Sequence, residues 1–337
     1  MAQVEFGLGF SHTLSLDEGL RITQRAEELG FAAVYVADQT FFQDPFVIMA
    51  YWAMQTQRIK LVLAVTNPYT RHPAQVARSI GVLSDITKGR VELGIGAGNR
   101  RELLLPMGHE QTAAADRSRE MAAIVRDLLH GKTVHYRSDY VVADEIKLDW
   151  EPAYPDVPII IGARGGKMLE VAGELADGAI IGALISDGGL DYALGAVERG
   201  AQRAGRSLDD VAITSWVTTV LADDYETAAG RITNSVAHII GGAPISLLKA
   251  IGLEDDYINQ IKATYAEGGQ EAAKQHVTRR EIDMLALVGT ADDISEKIER
   301  LTQRGIHQVS LRVLAADCDT TIAQIERLAR EVLPNFK

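Results

Sequence analysis

Eight short runs of apolar, largely β-branched residues alternate with longer amphipathic segments along the 337-residue chain. Such alternation predicts an α/β fold with a parallel sheet covered by helices. Eight strand–helix units predict closure into a (β/α)8 TIM barrel, with a mainly helical insertion before the eighth strand. No low-complexity linker interrupts the chain, so residues 1–337 read as one domain.

The first strand is expected at Val4–Phe10, followed by a helix over Ser15–Leu29. Ser15 and Glu18 have capping-box spacing, and Leu16, Leu20, Ile22, Ala26 and Leu29 supply an apolar face. Gly30 stands where a helix C-cap favours positive φ. Ala32–Ala37 is the second strand, Pro45–Gln55 a helix, and Ile59–Val65 the third strand. Pro73–Leu83 is a helix with proline in its first turn. Val91–Ile95 is the fourth strand, with the long helix Ala113–Leu129 after it. The fifth and sixth units are Val157–Gly162 with Gly166–Leu175, and Gly178–Gly182 with Asp191–Ala204. The seventh is Val211–Leu221 with Tyr225–Ile239, and the eighth Ile306–Val313 with Thr321–Leu333. Surplus sequence over about 241–287 is the insertion, expected across the top of the barrel.

A net charge of −12 argues against nucleic acid or an anionic membrane as partner, since both are bound through clustered Lys and Arg. The lone Cys318 excludes an internal disulfide and a thiolate metal cluster. The uncharged stretch Ile232–Leu248 is broken by Gly241, Gly242 and Pro244 and does not read as a membrane span. The N-terminus lacks the basic region of a secretory signal, so a cytoplasmic protein is expected. The eight histidines do not pair at metal-ligand spacing, and no metal site is expected.

In such a barrel, chemistry collects at the C-terminal ends of the strands. Those ends are Ser11-His12, Asp38-Gln39, Thr66-Asn67-Pro68, Gly94-Ile-Gly-Ala-Gly-Asn99 and Gly162-Ala-Arg-Gly-Gly-Lys167. The last is the most readable. A strand, two adjacent glycines and a helix N-terminus make an anion site, to which Arg164 and Lys167 add positive charge. A tight βα turn explains the same glycines without a ligand. Gly94-x-Gly-x-Gly lacks dinucleotide spacing but suits a flat ring against the turn. His12 at the barrel mouth reads equally as functional or structural, His72 as a helix cap, and His130 as a helix C-terminal dipole partner.

Taken in order, three segments resemble the bacterial-luciferase-like superfamily of flavin and deazaflavin enzymes, in its coenzyme F420-dependent branch. They are Leu61-Val-Leu-Ala-Val-Thr-Asn-Pro-Tyr69, Gly89-Arg-Val-Glu-Leu-Gly-Ile-Gly-Ala-Gly98 and Ile160-Ile-Gly-Ala-Arg-Gly-Gly-Lys-Met-Leu-Glu170. Leu175-Ala-Asp-Gly-Ala179 is similar to the family's next strand start. The resemblance implies a non-prolyl cis peptide, placed at Ala64–Val65, backing the cofactor's central ring. It implies that Thr66, Asn67, Gly96, Ala97, Gly98 and Asn99 line the ring system. Gly162, Ala163, Arg164, Gly165 and Gly166 would hold the phosphate. It also implies a homodimer or higher homo-oligomer acting on a small molecule.

Two departures from the family pattern matter. Relatives carry an acid–histidine pair where this chain has Asp38-Gln39, and an acid after the fourth-strand glycines where it has Asn99. Gln39 and Asn99 cannot exchange protons at neutral pH. The candidate catalytic set is therefore Asp38, Gln39, Asn99 and His12, and a substrate accepting hydride without concerted side-chain protonation is expected. Hydride transfer between deazaflavin C5 and a small organic substrate is the leading expectation. An FMN-dependent monooxygenase and a non-catalytic cofactor-binding barrel are the alternatives.

Overall fold

A computed structural model describes residues 4–10, 13–39 and 41–336. Strands β1 (Glu5–Gly9), β2 (Ala33–Val36), β3 (Lys60–Thr66) and β4 (Val91–Gly96) lead to helices α1 (Leu16–Leu29), α2 (Pro45–Ala53), α3 (Pro73–Thr87) and α4 (Ala114–Leu129). An antiparallel hairpin, β5 (Val134–Arg137) and β6 (Val142–Ile146), follows α4. The alternation resumes with β7 (Ile159–Ala163), α5 (Gly166–Leu175), β8 (Gly178–Gly182), α6 (Asp187–Arg203), β9 (Ala212–Leu221) and α7 (Tyr225–Gly242). The insertion contributes α8 (Ile245–Ala250), α9 (Asp255–Ala273) and α10 (Arg279–Leu285), then β10 (Ala286–Gly289) and α11 (Ala291–Gln303). β11 (Gln308–Val313) and α12 (Cys318–Glu331) complete the cycle.

Parallel pairing runs β1–β2–β3–β4–β7–β8–β9–β11 and back to β1, so the barrel is closed. The eight barrel strands are those the apolar runs predicted. Leu8, Val34, Leu61, Leu63, Leu93, Ile95 and Ile161 face the helices in the main core. Inside the barrel, Ala33, Tyr35, Val62, Ile160 and Ile180 form a second cluster, with Ala64, Val65 and Trp216 against it. Trp216 fills the barrel at the level of Gly9; a Cβ at Gly9 would stand 2.4 Å from its ring. The tube is therefore a packed core up to that level, and ligands are confined to the mouth above it.

Local signals act as read. Ser15 and Glu18 form a reciprocal capping box, and Gly30 ends α1 at φ 87°. His72 caps α3 through Nδ1, which accepts from the Ala74 N–H. His130 caps α4, with Nδ1 2.8 Å from the Arg126 carbonyl.

Several elements differ from expectation, among them α11, which lies beyond the expected insertion. The β5–β6 hairpin has a half-exposed, broken alternation that resembles loop sequence. β10 pairs with the upper half of the long β9 and adds a ninth strand outside the closed cycle. α6 begins at Asp187 rather than Asp191, because Ser186 Oγ accepts from the Gly189 N–H and starts a helix through a glycine pair. The insertion docks on the end of α7: Lys262 Nζ donates to the carbonyls of Gly241 (3.1 Å) and Ala243 (2.7 Å). The Tyr265 ring lies on Gly241, where a Cβ would come within 2.3 Å of it. No helix among the described residues is long and apolar enough to cross a membrane.

Candidate active site

The mouth is built from the loops after β2, β3, β4 and β7, roofed by α7 and α9. Asp38 follows β2 and is not a free acid. Its Oδ2 accepts from Thr66 Oγ1 (2.7 Å) and from Arg71 Nε (2.9 Å). Arg71 also reaches Asp44, the N-cap of α2, at 2.8 Å. A carboxylate so engaged is acceptor-only, and its visible role is to fix the rim. Gln39 beside it is half-buried. His12 lies outside the described residues.

The wall between β3, β4 and β7 is shaped by one valine. The Ala64–Val65 peptide is cis. Val65 occupies a notch left by three glycines. Cβ atoms at Gly94, Gly96 and Gly162 would stand 3.1, 2.4 and 2.6 Å from its methyl groups. These positions admit no side chain while Val65 holds its place. Thr66 and Asn67 follow, both buried. Asn67 Oδ1 accepts from the Tyr69 and Thr70 N–H groups, both at 3.0 Å, which folds the loop back on itself. Among the described residues its buried Nδ2 has no hydrogen-bond partner. Gly98, at φ +72°, packs on Asn67, and Gln111 Nε2 ties down the carbonyls of Ala97 (3.0 Å) and Gly98 (2.8 Å).

Asn99 has a role that its chemistry concealed. It caps a π-helical turn, Arg100–Leu104, accepting on Oδ1 from the Glu102 N–H (3.1 Å). Its Nδ2 donates to Glu102 Oε2 at 2.8 Å. Asn99 thus holds Glu102 in place and keeps a second N–H on Nδ2. In the sequence, Arg100-Arg-Glu-Leu-Leu-Leu offers no clean ribose-binding acid, and its lack of helical periodicity gives no sign that Glu102 is held at the mouth.

At the end of β7, Gly165 caps α5 without any side-chain acceptor. The Gly166 N–H donates to Tyr192 Oη at 2.9 Å, and Lys167 is exposed. Ala163 and Gly162 are half-buried at the strand end. Arg164 Nη1 donates to the Ile239 carbonyl at 3.3 Å. Among the described residues no carboxylate pairs with Arg164 in a salt bridge, and burial pushes its pKa down. A half-buried guanidinium with no salt-bridge partner among the described residues, beside a helix N-terminus, has the chemistry to take an anion.

The roof carries a pair that the sequence did not reveal. His238 of α7 and Tyr265 of α9 share a hydrogen bond, Oη to Nδ1, of 2.8 Å. Burial pulls the His238 pKa down; Arg164 and Arg312 add to this, and Glu102 opposes it. Those three residues belong to the ends of β7 and β11 and the loop after β4, so His238 faces the mouth. Burial raises the Tyr265 pKa, and Glu102 adds to it. The signal was hidden because His238 sits within an apolar helix stretch.

Beside the mouth, a cleft of about 300 Å³ lies between the β3–α3 loop, α4 and the hairpin. There Arg117 stacks between Tyr69 (4.9 Å) and Tyr140 (4.4 Å). Arg71 and His72 line it but are committed to structural bonds. Among the described residues no group of three or more His, Cys, Asp or Glu is placed to hold a metal ion.

Comparison with known proteins agrees with this geometry. The 5,10-methylenetetrahydromethanopterin reductase of Archaeoglobus fulgidus is 30% identical over 339 residues, covering 99% of this chain and 100% of its own. An F420-dependent hydroxymycolic acid dehydrogenase of Mycobacterium tuberculosis is 31% identical over 73% of this chain and 70% of its own. The structure of the coenzyme F420-dependent tetrahydromethanopterin reductase from Methanopyrus kandleri superposes over 100% of both chains, with TM-score 0.87 and 28% identity. The luciferase-like monooxygenase family matches residues 2–308. A closed barrel with its polar residues gathered at one mouth, matched over nearly its whole length, places this chain in the luciferase-like monooxygenase family.

Proposed function

We propose that this protein is a coenzyme F420-dependent oxidoreductase that moves a hydride between the deazaflavin and a small organic substrate. The observation that carries the reading is Arg164, a half-buried cation with no carboxylate partner among the described residues, next to the start of α5, where Gly165 offers no side-chain cap. A phosphate on Gly165, Gly166 and Arg164 would supply the missing counter-charge. The unpartnered Asn67 Nδ2 gives a flat heterocycle a donor at the other end of the mouth. Ala64, Val65, Thr66, Gly96, Ala97 and Gly98 form the wall against which the rings lie. When bound, the deazaflavin supplies the hydride; the chain supplies orientation and exclusion of water. That the relatives named above include F420-dependent enzymes supports this cofactor over FMN.

The protein acts as a homodimer in this reading. Helix α2, Pro-Phe-Val-Ile-Met-Ala-Tyr-Trp-Ala, is apolar on every side. Phe46, Met49 and Trp52 are buried, whereas Val47 and Met54 are exposed by 62% and 75%. Phe41 before it and Val82 and Ile86 on α3 extend the exposed apolar surface. A helix apolar all round belongs in an interior, and a second copy provides one.

Parallel titrations of the purified protein with F420 and FMN, followed by fluorescence, test the cofactor. Saturable binding of F420, weakened about tenfold or more by Arg164→Gln, is expected. Preference for reduced FMN with oxygen consumption would move the protein to monooxygenase chemistry. Binding of neither would overturn the anion site itself.

A further inference from the structure

Among the described residues the oxidoreductase reading leaves one chemical gap: Gln39 and Asn99 have no titratable proton, and Asp38 is held by Arg71 and Thr66. We propose that His238, with Tyr265 as its outlet, is the proton store of this site, loaded when an anion binds at Arg164. This inference rests on the F420 reading for its chemistry, but not for its test.

The geometry is specific. Tyr265 Oη lies 2.8 Å from His238 Nδ1. Tyr265 cannot swing freely, since its ring is seated on Gly241 and Lys262, one turn earlier, is fastened to two carbonyls at the end of α7. Arg164 binds the carbonyl of Ile239, the residue next to His238. An anion neutralising Arg164 therefore acts within one residue of the imidazole.

Burial disfavours the imidazolium first, and the charges facing His238 modulate that. Arg164 from β7 and Arg312 from β11 disfavour the imidazolium, Glu102 from the β4 loop favours it, and Tyr265 contacts it from α9. Arg101 and Lys262 add further positive charge nearby, toward Tyr265 and Arg164. Without an anion, burial first and then Arg164 and Arg312 hold the His238 pKa below its ordinary value against the pull of Glu102. Filling the Arg164 site removes one of these repulsions, so proton affinity rises.

The balance of the step follows. With reduced deazaflavin bound, hydride delivery to the substrate carbon would move the electron pair of its C=O or C=N bond to the heteroatom. The heteroatom takes the Tyr265 hydroxyl proton, and Tyr265 Oη takes the proton from His238 Nδ1. Neutral imidazole and a reduced O–H or N–H product remain, and oxidation is the reverse. This removes the ground for expecting a substrate that needs no protonation.

The test is an NMR titration of the His238 ring, assigned by its loss in His238→Gln, with and without inorganic phosphate. Phosphate should raise the titration midpoint by about one pH unit. Arg164→Gln should abolish that response, and Tyr265→Phe should leave it in place while altering the Nδ1/Nε2 tautomer signal. A midpoint indifferent to phosphate, or one that responds equally in Arg164→Gln, overturns the proposal. Calorimetry of F420 binding in buffers of different ionisation enthalpy gives the second reading. Proton uptake should be present in the wild type and absent in His238→Gln, with F420 affinity within about threefold. F420 binding without proton uptake would overturn the proton store while leaving the F420 reading intact.

Discussion

Glu27 shows how much one side chain can organise far from the chemistry. From α1 its Oε1 accepts the N–H groups of Gln57 (2.9 Å), Arg58 (2.6 Å) and Ile59 (2.9 Å). They belong to the turn that feeds β3 and so, six residues later, the Val65 notch. Burial tends to raise the Glu27 pKa, but the three N–H donors outweigh it and hold it below its ordinary 4.5. A folded-state pKa below the unfolded one contributes stability above about pH 4.5 that is lost as pH falls through the folded value. Glu27→Ala should cost about 1–2 kcal/mol at pH 7, the lower side of the range for charged hydrogen bonds because water reaches this turn. Urea unfolding should show the wild type and variant converging as the pH is lowered below 4. At this scale the sequence was partly legible. That Gln39 and Asn99 are not acids follows from their side chains alone. That Asp38 is bound by Arg71, or that His238 faces the mouth, depends on contacts between residues far apart in the chain. Periodicity carries no information about such contacts.

Among the elements, the α5–α6 crossing bears most directly on the anion site. Backbone meets backbone there: a Cβ at Gly173 would stand 1.9 Å from the Val197 carbonyl oxygen, and one at Gly200 equally close to that of Glu170. Gly173→Ala must push the helices apart and should cost about 3 kcal/mol, the upper end for overpacking, because rigid backbone cannot yield as a side chain can. Thermal melts should show the loss. Because Tyr192 of α6 holds the Gly166 N–H at the start of α5, F420 affinity should fall too. The barrel strands were legible because strands buried on both faces leave continuous β-branched runs. The β5–β6 hairpin and β10 were not. Each is short, and what makes β10 a strand is the upper half of β9, with Ala286 paired to Thr218 sixty-eight residues earlier.

Taken whole, the molecule has a polar mouth and, a short distance away, an apolar flank on α2 and α3. Val47→Glu should convert a dimer into a monomer in sedimentation velocity without loss of folded signal, since Val47 points away from the core. A wild type that sediments as a monomer would remove the dimer reading. The family was legible in the ordered strand ends and the site's outline with them. The roof was not, because the likeness weakens over about 240–285, where Tyr265 lies.

The backbone contact between α5 and α6 has a further consequence, in the timing of order. A phosphate loop that becomes rigid only around its ligand loses conformational freedom at the moment of binding, and affinity suffers by that amount. Here Gly173 and Gly200 lock the two helices together, and Tyr192 fixes the first turn of α5, when the chain folds. The turn stands in position before any anion arrives, and an anion taking the Gly166 N–H would displace Tyr192 Oη from it. Binding there should be fast, with little change in heat capacity beyond that of the ligand's own buried surface, and the site should keep its shape between turnovers.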